Sequence, residues 1–304
     1  MHEHIAILNP EIEQNYPGHW DEAAEAPRAA AKLRELREQG VGTLVDLTVI
    51  GLGRDVGLVR RLAGASGLHV IVATGAYYFD ELPAFFRNRG PGSIHGGPEI
   101  LDELFVRDIE KGIADTGIRA GILKCACDAR GVTPDVGRVL RAVAHAHRQT
   151  GVPISTHTDA GRRRGLDLQA VFREEGVDLS RVVVGHSGDS TDIGYLTTMM
   201  DAGSYIGMDR FGLDHFLPTR DRVDTIAELV RRGYAGRMVL SHDTSCYSMN
   251  YDNATRAQKL PDWRYTFLLD TVVPMLRQRG VSQEDVNQML IANPRDIFSR
   301  SGGY

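Results

Sequence analysis

The architecture of this chain follows from two short apolar runs that each end in a histidine, VPISTH (152–157) and RVVVGH (181–186). Both barely alternate with polar residues, which is typical of strands buried on both faces of a sheet. Five further runs have the same character: GTLVDLTV (42–49), HVIVATG (69–75), RAGILKC (119–125), SYIGMD (204–209) and RMVLSHD (237–243). A fragment over residues 2–8, at the start of the chain, is the eighth.

Helical patterns lie between these runs. Residues 21–40 repeat apolar side chains every three or four positions, and residues 133–151 have a proline in the first turn and end at a glycine. Two more helices are predicted near residues 262–280 and 282–291. A strand–helix alternation repeated about eight times predicts an α/β fold, a (β/α)8 TIM barrel. An open doubly wound sheet is the alternative architecture.

Length and composition limit the classes of protein to which the chain can belong. Its 304 residues, 42% hydrophobic and 25% charged, suit a single barrel domain over residues 1–304. The net charge of −5 argues against a nucleic-acid partner, and we interpret the basic run Arg162–Arg164 as a solvated loop. We expect no membrane span, because one needs about 20 consecutive apolar residues. The opening MHEHIAILNP does not resemble a signal peptide.

The cysteines are few and odd in number: Cys125, Cys127 and Cys246. Such a count favours a reducing compartment, and we expect a cytoplasmic protein. Cys125 and Cys127 form one Cys-x-Cys pair with no second pair, which argues against a structural zinc site. The cysteines therefore predict neither a disulfide framework nor a zinc-binding module.

Polar side chains end several of the apolar runs at their carboxyl sides. In a β/α barrel the carboxyl ends of all strands converge on one mouth, where active sites lie. Residues two apart in a strand point the same way, so His2 and His4 could hold one ion together. We therefore predict a metal site at the mouth. Its predicted ligands are His2, His4, Lys124, His157, His186 and Asp243.

Lys124 requires a chemical argument of its own. Burial of its ammonium group would lower its pKa. The neutral amine can then add carbon dioxide and become a carbamate, whose carboxylate can bridge two cations. The alternative is a lysine that extends its charge to solvent and pairs with a carboxylate. The histidines could likewise be core or surface residues, and Asp243 could be a helix N-cap.

Six motifs in order, MHEH, GILKCACD, ISTHTDAG, VVVGHSGDS, GMDRFG and LSHD, resemble one known family. The whole chain resembles the phosphotriesterase family of the amidohydrolase superfamily, and within it the phosphotriesterase-like lactonases. The resemblance implies two divalent metal ions, with zinc expected first and iron, cobalt or manganese as alternatives. It also implies that carbamylated Lys124 and a hydroxide bridge the ions. The implied ligands are His2, His4 and Asp243 for a buried ion and His157 and His186 for an exposed one.

Two further residues match the lactonase branch. Tyr77, in ATGAYYF, resembles a tyrosine beside the bimetal centre, where phosphotriesterases have a tryptophan-bearing pattern. Arg210, in GMDRFG, stands where phosphotriesterases carry a histidine. Tyr77 could instead pack in the core, and Arg210 could pair with Asp209 or Asp189.

These matches predict a catalytic hydrolase that opens lactone rings, including N-acyl-homoserine lactones, and so acts in quorum quenching. Tyr77 would help to polarise the carbonyl, Asp243 would move the proton, and Asp189 and Arg210 would orient Asp243. The alternatives are a phosphotriester or carboxylic ester as the main substrate, and an inactive metal-binding scaffold. We expect a small-molecule lactone or ester as the partner and a homodimer as the assembly.

The start of the chain departs from the family pattern. The family has an apolar strand before the His-x-His motif, whereas here Met1 directly precedes His2. We expect a curtailed first strand, or a numbering that starts inside a longer protein. After Met208, a short stretch supplies apolar side chains that suit one long acyl chain or simply pack. These are Phe211, Leu213, Phe216 and Leu217.

Overall fold

The structure is a computed structural model that describes residues 1–299 and 302–304. Strands and helices alternate along the chain. The strands are β1 (His4–Ile7), β2 (Thr43–Asp46), β3 (His69–Gly75), β4 (Ile122–Cys127), β5 (Ile154–Thr158), β6 (Val182–Val184), β7 (Tyr205–Met208), β8 (Met238–Leu240) and β9 (Ser245–Ser248). The first eight coincide with the predicted runs, although β4 and β5 extend beyond the predicted ends at residues 125 and 157.

The helices cover the outside of this sheet. They are α1 (Pro10–Asn15), α2 (Glu22–Glu38), α3 (Val56–Ser66), α4 (Ala84–Arg87), α5 (Ile100–Glu110), α6 (Pro134–Thr150), α7 (Arg164–Glu174), α8 (Ile193–Asp201), α9 (Thr219–Arg231), α10 (Asn253–Lys259), α11 (Val273–Gln278), α12 (Gln283–Asn287) and α13 (Asn293–Ser299). Two π-helical segments, Leu268–Val272 and Gln288–Ala292, precede α11 and α13. Among the described residues, no helix is both long and apolar enough to cross a membrane.

The sheet order shows a barrel. Strands β2 to β8 pair in parallel and in chain order, without the reversal that defines a doubly wound sheet. β1 joins the two ends of this sheet: Glu3 forms a parallel bridge with Asp46 at the end of β2, and β1 pairs in parallel with β9, just after β8. The expected TIM-barrel-like fold is therefore confirmed, and the doubly wound alternative is wrong.

Local sequence explains where the predicted helices begin and end. In α6, the Thr133 hydroxyl accepts a hydrogen bond from the Val136 amide, and Pro134 occupies the first turn, where no donor is needed. The helix ends at Gly151 with a φ of 77°, a left-handed conformation that glycine adopts without strain. α6 therefore has the bounds that its sequence predicts.

The helix predicted over residues 262–280 begins later than expected. The Trp263 indole donates a hydrogen bond to the carbonyl of His242 at 3.0 Å, and Arg256 donates to the carbonyl of Trp263 at 3.0 Å. These bonds hold the preceding chain in turns against the barrel mouth, so helical structure starts only at Leu268. The helix predicted near 282–291 instead continues through its π-helical segment to the end of α13.

A cavity lies in the side of the barrel, below the mouth, where β2 and β8 do not pair with one another. β2 and β8 are the edge strands of the seven-stranded sheet, and a cavity of about 740 Å³ lies between them. Leu44, Val45 and Leu240 line it together with Met1 and Phe298. Burial lowers the pKa of the Met1 α-amino group beside this space. The chain from Glu3 onward pairs at the carboxyl end of β2 and with β9, and it leaves the space between β2 and β8 unpaired.

Candidate metal centre

The predicted ligands converge on the barrel mouth from five strands or strand ends. β1 begins at His4, and His2 lies two residues before it, while His186 and Asp243 follow β6 and β8 after a short gap. Lys124 and His157 were expected to end their strands but lie within β4 and β5 instead. Both side chains still reach the site, because Lys124 contacts His2 and His157 packs against His186.

Three side chains form the densest group. His2, His186 and Asp243 each offer one ligand atom, and these atoms all lie within 4.8 Å of one another. One carboxylate oxygen of Asp243, Oδ1, lies 3.5 Å from His2 Nε2 and 3.3 Å from His4 Nε2. Its other oxygen, Oδ2, lies 3.8 Å from His186 Nε2. Asp243 is thus the common neighbour of three histidines.

Lys124 and His157 complete the cluster on either side. The Lys124 side chain is fully buried, and its Nζ lies 2.8 Å from His2 Nε2. The ring of His157 packs edge-on against His186, with the centroids 4.5 Å apart. All six predicted ligands therefore lie around one centre at the mouth.

Buried oxygen atoms hold the far sides of the histidine rings. Asp209 lies 2.9 Å from His186 Nδ1 and 3.3 Å from His2 Nδ1, so one carboxylate serves two rings. The Thr48 hydroxyl lies 2.9 Å from His4 Nδ1 and donates to Asp46 at 2.5 Å. Each of these three rings consequently directs its Nε2 atom toward the centre. Such partners fix the ring orientation and tautomer of metal-binding histidines.

The backbone is strained where the site side chains leave the strands. His186, Arg210 and Asp243 have φ values of 59°, 63° and 55°, in the left-handed region that non-glycine residues rarely adopt. Strain of this kind costs on the order of 1–3 kcal/mol per residue and is concentrated at functional sites. The Asp243 amide donates to the carbonyl of His2 at 2.9 Å, which ties this strained turn to the first ligand.

Gly185 allows the strands to approach closely under His2. A Cβ atom at this position would lie 2.0 Å from the Thr156 carbonyl oxygen and 3.1 Å from His2 Nδ1. Any larger residue would therefore displace β5 or the His2 ring. The glycine of VVVGH is required by packing at the site.

Arg210 and Asp189 form a chain of charges that ends on Asp243. Arg210 donates from Nε to Asp243 Oδ2 at 3.1 Å and from Nη1 to Asp189 Oδ2 at 2.8 Å. The fully buried Arg222 lies 2.6 Å from the other oxygen of Asp189. Arg210 therefore pairs with Asp189, as one alternative expected, and the same guanidinium also binds Asp243.

Tyr77 lies at the opposite side of the centre. Its hydroxyl is 3.2 Å from His157 Nδ1, and burial raises the pKa of the phenol, so the hydroxyl stays protonated. Phe79 packs against both the Tyr77 and the His157 ring. Tyr77 therefore contacts a predicted ligand directly and does more than fill the core.

The donor set suits divalent cations. Burial lowers the pKa of His2 to about 4 and also lowers the pKa values of His157 and His186, so their nitrogen lone pairs are free at neutral pH. Burial lowers the pKa of Lys124 to about 8. Burial disfavours the ionised form of Asp243, but His186, His2 and other neighbours outweigh it and hold its pKa well below the usual range. Neutral imidazoles with a carboxylate are ligands that zinc and similar ions prefer.

Sequence reasoning missed several supporting residues. Asp209 and Asp128 directly follow β7 and β4, so their position at strand ends was a usable signal. Arg222 lies on the apolar face of α9, at helical spacing from Ile226 and Leu229, which is unusual for a charged residue. Thr48 gives no such signal, because its role depends on how the chain beyond β2 meets His4.

Fold and site together describe a β/α barrel with a possible histidine–aspartate metal-binding group at its mouth. The chain belongs to the phosphotriesterase family, whose model matches residues 1–298. Enzymes of this family use a binuclear metal centre, and His2, His186 and Asp243 are a group that could hold an ion. The expected family is therefore confirmed.

Individual relatives agree with this assignment. A "Phosphotriesterase homology protein" from Mycobacterium tuberculosis is 55% identical over 305 residues, which cover 100% of this chain and 94% of that protein. An "Aryldialkylphosphatase" from Saccharolobus solfataricus is 37% identical over 302 residues, or 98% and 94% of the two chains. The solved structure of the phosphotriesterase from Mycobacterium tuberculosis matches with a TM-score of 0.98 at 55% identity, over 100% of this chain and 94% of that chain.

Proposed function

We propose that this protein is a lactonase that opens lactone rings with two divalent metal ions, zinc first among the candidates. The observation that carries the proposal is the placement of Tyr77. Its protonated hydroxyl lies 3.2 Å from His157 Nδ1, while Arg210 holds Asp243 on the other side of the same centre. A hydrogen-bond donor and a proton acceptor therefore face one another across the predicted ligands.

The proposed ligand sets keep the division implied by the motifs. His2, His4 and Asp243 would hold one ion, and His157 and His186 the other, with carbamylated Lys124 between them. Two bound cations would supply hydroxide at neutral pH and polarise the substrate carbonyl. Full burial and a lowered pKa favour the neutral amine of Lys124 that carbamate formation requires.

Asp243 has the properties of the proton carrier. Its carboxylate is ionised, and its side chain is 15% exposed, so it can reach both the predicted ligands and a substrate in the mouth. Arg210 and Asp189 fix its orientation through the hydrogen bonds described above. In the proposed reaction Asp243 would accept the proton of the attacking hydroxide and pass it to the leaving alkoxide oxygen as the ring C–O bond breaks, which completes ring opening.

The substrate side of the mouth is only partly apolar. Phe211 and Leu213 were candidates for an acyl-chain surface, but both are buried and pack in the core. Phe216 is 52% exposed and lies beside Arg210, whose guanidinium carbon is 4.6 Å from the ring centroid. We propose that Phe216, with the half-buried Leu217, contacts the acyl chain. The mouth would then offer one apolar surface, which suits a substrate with one acyl chain. A phosphotriester has three substituents and would need room for each.

Organophosphate hydrolysis is the second candidate for the main activity. The relative from Saccharolobus solfataricus carries the name aryldialkylphosphatase, and it shares 37% of its residues with this chain. A carboxylic ester is the further alternative with the same chemistry.

The test compares kcat/KM of the metal-loaded protein on a long-chain N-acyl-homoserine lactone, a simple aryl ester and paraoxon. We expect the lactone to be the best substrate and paraoxon to be turned over slowly. Paraoxon or the ester exceeding every lactone would contradict the proposal. Failure on all three substrates with metals bound would instead support an inactive scaffold.

A further inference from the structure

His157 is held differently from the other histidines of the centre. Its Nε2 atom lies 2.5 Å from Oδ2 of Asp128, the first residue after β4. The other oxygen of Asp128 accepts a hydrogen bond from the Ala129 amide at 2.5 Å, which fixes the carboxylate in place. The Asp128 side chain is 28% exposed, whereas the Asp209 side chain that serves His2 and His186 is fully buried.

The aromatic neighbours of the His157 ring fix its orientation but not its tautomer. Tyr77 packs edge-on against His157, and Phe79 lies 5.0 Å from it between centroids. These contacts hold the plane of the ring. They do not determine which ring nitrogen carries the proton, because a phenol can donate to one tautomer and accept from the other.

A carboxylate resolves this choice because it only accepts hydrogen bonds. With Asp128 at Nε2, the proton belongs on Nε2, and Nδ1 keeps its lone pair. Nδ1 is the atom that faces the Tyr77 hydroxyl, and it is the ring nitrogen that Asp128 leaves available to an ion. His157 therefore differs from His2, His4 and His186, which direct Nε2 inward.

We propose that Asp128 is a positioning residue that fixes His157 as the Nε2-protonated tautomer and so prepares Nδ1 to bind an ion. The metal-binding part of this inference rests on the proposed function, whereas the tautomer part does not. Since Asp128 faces solvent, the ion held by His157 depends on a contact at the rim of the mouth. The other ligand contacts lie inside the barrel.

The first experiment uses metal-free protein labelled with ¹⁵N-histidine. Long-range ¹H–¹⁵N spectra of the native chain should show His157 as the Nε2-protonated tautomer. Asp128→Ala should give a mixture of tautomers, and Asp128→Asn should retain the native one, because the amide oxygen still accepts from Nε2. The matched control is Asp80→Asn, which removes a carboxylate that pairs with Arg130 in a nearby loop. An unchanged tautomer in Asp128→Ala would overturn the proposal.

The second experiment titrates Zn²⁺ against a chromophoric chelator. Loss of such a carboxylate partner lowers metal affinity by about 10–100-fold. We expect this loss in Asp128→Ala for the weaker of two ions, a smaller loss in Asp128→Asn, and no loss in Asp80→Asn. A lower melting temperature with unchanged tautomer and affinity would indicate a merely structural role and contradict the inference. If the native chain binds no zinc, the proposed function fails, while the spectra still test the tautomer.

Discussion

At the residue scale, Asp243 combines three demands that are seldom met by one side chain. It lies within 4 Å of three histidine nitrogens, accepts a hydrogen bond from Arg210, and occupies a left-handed backbone conformation. The histidine contacts suit the proposed metal binding, and the hydrogen bond from Arg210 fixes the orientation of the carboxylate. The backbone conformation sets the direction in which the side chain leaves the end of β8. Replacement by its amide separates these demands because size and backbone are preserved.

We expect Asp243→Asn to lower kcat by roughly 10²-fold or more, the scale of general acid–base catalysis, with a smaller effect on KM. The amide cannot accept a proton from water at neutral pH. Lactone kinetics with metal content measured on the same sample would distinguish lost proton transfer from lost metal. Asp262→Asn, at an exposed position, is the control. An unchanged kcat would remove Asp243 from the chemistry.

Tyr77→Phe should lower lactone kcat/KM by about tenfold, which corresponds to roughly one hydrogen bond to a developing charge. Paraoxon turnover should fall less, since a tetrahedral phosphorus centre does not require a donor in that position. Both substrates are measured with both proteins, and Tyr78→Phe serves as the neighbouring control. Equal losses on the two substrates would argue against the assigned role of Tyr77.

Lys124→Ala should lose both metal ions and most activity, because it removes the proposed bridge at the centre of the site. Added short carboxylates such as acetate or propionate should restore part of the activity by occupying the vacated space. Metal analysis and rescue kinetics provide the measurement, with the exposed Lys259→Ala as the control. Normal metal content in Lys124→Ala would show that Lys124 is not the bridge.

Strand ends explain why the sequence indicates the candidate ligands but not all of the residues that contact them. Lys124, His157, His186 and Asp243 interrupt apolar runs, and a polar residue in such a run is visible without a structure. Asp128 directly follows β4, so its position was a usable signal, but its pairing with His157 appears only in the structure. Thr48 gives no such signal, because its contact with His4 forms only where the start of the chain meets the segment after β2.

At the element scale, strands β1 to β8 were predictable from the sequence, but only some of their ends were. Buried parallel strands leave long apolar runs, so the bounds of β3 agree with the run over residues 69–75. β9 was not predicted, because its sequence SCYS lacks such a run and it forms only by pairing with β1. The late start of the helix at Leu268 likewise depends on tertiary hydrogen bonds to Trp263.

The space between β2 and β8 leads to a prediction about the barrel itself. Two parallel edge strands border a partly apolar cavity of about 740 Å³, and the buried α-amino group of Met1 lies beside it. An extension of about five β-branched residues before Met1, the length of an ordinary strand, could pair with both edges.

We expect this extension to raise the melting temperature by several degrees, since about 1 kcal/mol of added stability shifts it by roughly 2–4 °C in domains of 150–250 residues. A glycine–serine extension of equal length is the control, because it can neither pair stably nor bury apolar surface. Thermal unfolding followed by circular dichroism makes the comparison. Equal melting temperatures for the two extensions would show that the space does not accept a strand.

At the scale of the whole molecule, closure of the barrel brings the candidate ligands together. The candidate ligands are separated by up to 241 positions, from His2 to Asp243, and only closure of the strands brings them together. Closure near the mouth depends on β1, which carries His2 and His4 at its start. We therefore expect metal binding and barrel closure to be coupled, because an ion that contacted both ends of the chain would stabilise the closed form.

This coupling predicts that purified protein carries close to two divalent ions per chain and that strong chelation abolishes lactone hydrolysis. Chelation should also lower the melting temperature, because ions that bind only the folded state stabilise it in proportion to the logarithm of their concentration over Kd. Metal analysis, kinetics and thermal unfolding on one preparation give the three measurements, and added zinc should reverse all three changes. The strained turns at His186 and Asp243 should become mobile first, which hydrogen exchange would detect. Full activity in a metal-stripped sample would contradict the binuclear proposal, whatever the ligand geometry.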